Sequence, residues 1–149
     1  HLSIRRQRQM CIRDRIEASR HLVGTHDFTS YRSVHCQAKS PVKTLSRFHI
    51  HRQGPLIVLE VEGNAFLMHM VRNMAGVLMS IGAGKHPPVW AREVLEARDR
   101  RKGGVTAPPF GLYLVDIGYP EQFVLPSPPL GPLWLTTLNA ADGGGADAP

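Results

Sequence analysis

Apolar and polar positions alternate along the chain in two different periods. From Glu62 to Lys85, Phe66, Met70, Met74, Val77 and Ile81 recur at spacings of three and four, which predicts a central helix beginning at Asn64 and ended by Gly82-Ala83-Gly84. Lys43–Arg52 alternates in twos instead, predicting a strand with Leu45, Arg47, His49 and His51 on one face and Thr44, Ser46, Phe48 and Ile50 on the other. Gln53-Gly54-Pro55 is a turn signal, and the Leu-Ile-Val-rich run that follows predicts a buried second strand closing a hairpin.

Flanking segments extend the pattern. Ile16–Gly24 reads as a helix capped by its final glycine, and Thr25–Arg32 as a loop or short turn in which His26, Asp27 and Arg32 surround Phe28 and Tyr31. Pro87–Arg101 predicts a second amphipathic helix, with Val89, Trp90, Val94 and Leu95 as its apolar face. Val105–Pro120 predicts a proline-stiffened loop running into a strand, with Leu112, Leu114 and Asp116 on one face and Tyr113, Val115 and Ile117 on the other. The sequence therefore divides into a basic stretch at 1–15, expected to be non-native or disordered, a folded unit at 16–126, and a Pro/Gly/Ala-rich tail at 127–149, expected to be disordered.

Composition narrows the function classes. A chain of 149 residues with 42% hydrophobic content can build one domain with a real core. No apolar run reaches the roughly 18–20 residues of a membrane span. Cys11 and Cys36 are too few for a disulfide framework and fit a reducing, cytoplasmic setting. The formal net charge of +6 favours a polyanionic partner such as nucleic acid, although much of the excess lies in the first twenty residues.

Three groups of residues are candidates for chemistry. Arg72 stands in the middle of a nearly uncharged helix, where a guanidinium is costly to desolvate without an anionic partner; either an anion meets it or its long side chain reaches out to solvent. His69 and Gly76 share its face, and Gly76 removes a side chain so that another backbone or a ligand can approach. His26 and Asp27 are an acid/base pair or, alternatively, Asp27 caps a following turn. His49 and His51 share a strand face, but without a matching Cys or carboxylate cluster they fall short of a zinc set, and a solvated face accounts for them.

Three blocks, H-D-F-T-S-Y-R at 26–32, G-N-A-F-L-M-H-M-V-R-N-M-A-G at 63–76 and A-P-P-F-G-L-Y-L-V-D-I-G-Y-P at 107–120, together resemble the C-terminal half of the TruA family of tRNA pseudouridine synthases. The resemblance runs over roughly Ile16–Pro126. It implies an α+β pseudouridine synthase fold, an antiparallel or mixed sheet with packed helices, of which this chain holds only the C-terminal half. It also implies isomerisation of uridine to pseudouridine at positions 38 to 40 of the tRNA anticodon arm by a homodimer, with no cofactor, metal or membrane. A non-catalytic RNA-binding module is the alternative. By the same resemblance, Arg72 pairs with the catalytic Asp, Leu112 lines the uridine pocket with Leu114 as the competing choice, His69 lies at the cleft or satisfies the core, and His26, Asp27, Phe28 and Arg32 lie near the RNA path. The family's nucleophilic Asp stands in a G-R-T-D motif, which these 149 residues do not contain. The chain by itself is therefore expected to be inactive.

Overall fold

The computed structural model describes residues 12–126, 131–132 and 134–135. Among them, helix α1 covers 12–20, strands β1 (Gly24–Asp27), β2 (Val42–Gln53) and β3 (Leu56–Gly63) follow, and helices α2 (Met70–Gly82) and α3 (Trp90–Ala97) complete the main elements. Single 3-10 turns lie at Thr29–Tyr31 and Arg100–Lys102. The strands form one antiparallel sheet in the order β1-β2-β3, so the architecture is α+β. The stretch 1–11 and almost all of the tail lie outside the described residues.

The β2–β3 hairpin forms as the alternation predicts, closed by a two-residue turn at Gly54-Pro55 between paired Gln53 and Leu56. Its faces differ from the prediction. The register shifts between Leu45 and Arg47, leaving Ser46 as an extra residue in a bulge. One inserted residue reverses the alternation beyond it, so buried Leu45 lies on the same side as Phe48 and buried Ile50, while Arg47, His49 and His51 face outward. Phe48 opposite Val61 and Ile50 opposite Leu59 make the inward cross-strand pairs. β3 itself is not the buried strand its composition predicts: it is an edge strand, with Leu56 and Ile57 exposed.

The core lies between this inner face and the helices. Met70, Met74, Val77, Leu78 and Ile81 of α2 meet Ala18 of α1, Leu22 in the turn after it, and Ala91, Val94 and Leu95 of α3. The predicted stripe is thus real from Met70 onward, but the helix starts six residues later than expected. Asn64 is committed to the sheet, its amide bonding the Thr44 carbonyl and its side chain accepting from the Thr44 amide, both at 3.0 Å. His69 then adopts a left-handed conformation (φ 60°) incompatible with a continuous right-handed helix. Leu67, not Phe66, is consequently the buried residue of that loop.

Other boundaries also moved. α1 ends at residue 20, and Gly24 opens β1 rather than capping a helix. The expected loop at 25–27 is a strand because it pairs with residues 42–44. α3 stops at Ala97, where Arg98 turns left-handed, and its buried residues are Ala91, Val94 and Leu95, with Val89 exposed. The strand expected within 105–120 does not form: residues 108–126 are irregular and exposed throughout, since no described strand lies beside them to accept their hydrogen bonds. Among the described residues no helix is long and apolar enough to cross a membrane.

Candidate active site

Arg72 occupies the first turn of α2 and is half-buried. Its Nε donates to the Ala107 carbonyl at 2.8 Å, and the Ala107 amide donates back to the Arg72 carbonyl at 3.1 Å. One edge of the guanidinium is therefore fixed by a neutral acceptor. Among the described residues its Nη groups form no hydrogen bond or ion pair, so the anion that a guanidinium in this setting calls for is not supplied by them.

The loop that fixes Arg72 is itself held from several sides. At Gly76, one turn along α2, a Cβ would overlap the Val105 carbonyl oxygen, so the close approach anticipated there is made by backbone. Buried Asn73 donates to the Tyr31 carbonyl at 2.7 Å and accepts from Arg100 at 3.0 Å and from the Thr106 hydroxyl at 2.6 Å. Arg100 also donates to Thr106 at 2.8 Å and to the Gly104 carbonyl at 3.0 Å. Tyr31, wholly buried, donates its hydroxyl to the Ala91 carbonyl, and burial pushes its phenol well above the ordinary range. Arg100, Asn73 and Thr106 were missed by sequence reasoning. Only the position of Asn73, polar yet facing inward on the apolar stripe, carried a signal.

The remaining candidates are distributed unevenly. His69 is exposed, and its left-handed backbone at the start of α2 is the kind of outlier that gathers at functional sites. Its carbonyl accepts the Asn73 amide at 2.9 Å. Leu112 and Leu114 lie in the exposed segment, 50% and 78% accessible. His26 and Asp27 line a separate shallow groove of about 350 Å³ with Arg20, His21, Arg92 and Arg98.

Within that groove, Asp27 behaves as a turn-holding residue. It accepts from the Thr29 amide at 2.9 Å and the Thr29 hydroxyl at 2.6 Å, and Arg98 lies 3.7 Å away. Burial by itself raises its carboxyl, but the Thr29 bonds and the Arg98 and Arg32 charges outweigh that and hold it below the usual value. His26 bonds the Val23 carbonyl rather than Asp27. Phe28 is wholly buried against the edges of His26 and Tyr31, so its ring anchors the block from within. On the hairpin, the carboxylate that the sequence did not show beside His49 and His51 comes from across the sheet, because Glu60 pairs with His49.

Comparison with known proteins adds to this geometry. Residues 18–120 match the model of a family described as tRNA pseudouridine synthase. The chain is 71% identical over 119 residues to tRNA pseudouridine synthase A of Alcanivorax borkumensis, covering 80% of this chain and 45% of that protein. It is 65% identical over 122 residues to the Pseudomonas aeruginosa protein of the same name, covering 82% and 43%. With the Nitrosococcus oceani protein of that name it shares 59% identity over 110 residues, covering 74% and 42%. The chain thus spans somewhat under half the length of the curated relatives it matches.

Proposed function

The chain belongs to the tRNA pseudouridine synthase family, and from that premise we propose that it supplies the C-terminal half of an enzyme that isomerises uridine to pseudouridine in the tRNA anticodon arm, at positions 38 to 40. The observation that carries this reading is Arg72: one edge is locked to Ala107, and no described carboxylate meets the other. That arrangement suits a guanidinium that orients a carboxylate from outside this chain. In the proposed reaction the nucleophilic Asp acts on the flipped nucleotide, the N1–C1′ glycosidic bond breaks, the base rejoins C1′ through C5, C5 loses its proton while N1 takes one up, and the Asp carboxylate is released unchanged. Arg72 holds that Asp ionised and aimed. His69, one turn ahead, and Leu112 or Leu114, beyond the Ala107 anchor, border the uridine. His26, Asp27 and Arg32 lie along the tRNA path, where Asp27 keeps the turn in shape. The complete enzyme works as a cytoplasmic homodimer, and the isomerisation itself needs no cofactor or metal.

Complementation tests the proposal. Purified chain with tRNA alone is expected to give no pseudouridine, and addition of a separately purified segment carrying a G-R-T-D motif restores it. Arg72→Ala removes the restored activity. Pseudouridine formed by the chain alone would show that these residues hold a nucleophile of their own. Salt-sensitive tRNA binding with no isomerisation in the mixture would favour the non-catalytic RNA-binding module instead.

A further inference from the structure

The outer face of the β2–β3 hairpin brings together three groups that no other element uses. His49 and His51 stand two residues apart on β2, past the bulge and therefore on the same side, with their rings stacked at 5.1 Å between centroids. Glu60 on β3 pairs directly with His49 across the ladder. One donor atom from each of the three lies within 4.8 Å of the other two. The His51 Nδ1 atom is shielded from solvent, yet it has no hydrogen-bond partner. Its nearest anionic atom, Glu60 Oε2, is 3.7 Å away, too far for a hydrogen bond.

From this juxtaposition we infer that His49, His51 and Glu60 form a binding site for a divalent transition-metal ion, Zn²⁺ foremost. Two donors that each bond one zinc at about 2.0–2.1 Å stand about 3.4 Å apart at a tetrahedral angle and somewhat farther at wider angles, so the 3.7 Å gap fits an ion and not a direct contact. A His₂Glu set is a complete protein complement for zinc, with water as the remaining ligand. Imidazole donors select Zn²⁺, Co²⁺ or Ni²⁺ over Mg²⁺ and Ca²⁺. The antiparallel ladder fixes the three Cα positions, and only side-chain torsions need to close the set. The competing cation is Arg47, 3.8 Å from the same Glu60 oxygen; both partners are exposed, so this pair is weak and gives way to a divalent ion. Bound metal would staple β2 to β3.

Zinc titration of the 149-residue chain against a competing chelator tests the site. The expected result is one Zn²⁺ per chain, affinity at least about tenfold weaker in both His51→Ala and Glu60→Gln, and tighter binding in Arg47→Ala, from which the competing charge is gone. The thermal midpoint should rise with zinc in the unsubstituted chain and not in Glu60→Gln, a conservative change at an exposed position. Titration with Co²⁺ should show the visible absorption of a low-symmetry site, lost in the same variants. The inference is overturned by absence of stoichiometric zinc, or by zinc affinity that neither variant changes, which would place the ion on other histidines.

Discussion

Arg72 and Ala107 hold each other twice, through the guanidinium Nε on the Ala107 carbonyl at 2.8 Å and the Ala107 amide on the Arg72 carbonyl at 3.1 Å. Backbone and side chain of one residue thus grip both backbone polar groups of one residue 35 positions away. The pairing sets the direction in which the guanidinium presents its other edge.

Replacing Arg72 separates its two roles. Arg72→Ala removes the side-chain bond and leaves the backbone bond, so the stability loss should be about 1 kcal/mol in urea unfolding. Activity in the complemented assay should nevertheless vanish. Loss of both in proportion would mean that Arg72 serves the fold alone.

Gly76→Ala should be costly despite the higher helix propensity of alanine. The added methyl overlaps the Val105 carbonyl, and the loop must move off the helix, at a cost of about 1–3 kcal/mol. A denaturation midpoint at or above that of the parent chain would contradict the close approach. Because the same loop holds Arg72, the complemented activity should fall as well.

The Asn73, Thr106 and Arg100 cluster should behave as one unit. Asn73→Ala takes the side-chain donor from the Tyr31 carbonyl and one acceptor each from Arg100 and the Thr106 hydroxyl, for a loss on the order of 2–3 kcal/mol. Thr106→Val should lose less. The two changes together should fall short of their sum by about 0.5 kcal/mol or more, because each already breaks the shared network. Additive losses would show that the bonds act independently.

Asp27 should contribute an acid-sensitive part of the stability. Its folded-state carboxyl lies below the ordinary value of 3.8. The stabilisation is therefore fully present above that value and is lost as pH falls through the lower folded one. Asp27→Asn should cost about 1 kcal/mol near pH 6, from the weakened hold on Thr29. The gap between variant and parent should then close below pH 3.8. A gap that stays constant down to strongly acidic pH would refute the role of the charge.

The run from Val105 to Leu125 should make the isolated chain prone to associate. Phe110 is 90% exposed, Leu114 78% and Val124 97%, far more apolar surface than a short segment usually leaves in water. Sedimentation should show concentration-dependent association, reduced by Leu114→Glu combined with Val124→Glu. A monomer that melts sharply and reversibly would count against this.

Local pattern alone was enough for the hairpin, the apolar stripe from Met70 to Ile81 and the family through its three blocks. Periodicity and turn chemistry are local, and local patterns are legible wherever the chain obeys one period. The bulge at Ser46 and the left-handed His69 break that period, so the strand faces and the start of α2 were decided only by what packs against them. Tertiary structure alone also joined Arg72 to Ala107, gathered Arg100 and Thr106 around Asn73, turned Phe28 inward and set Glu60 beside two histidines. These pairings are fixed by register and burial, and no residue type announces which distant residue it will meet. The segment 108–126 shows the same dependence in reverse: its alternation reads as a strand, but a strand exists only where a second one supplies its hydrogen bonds.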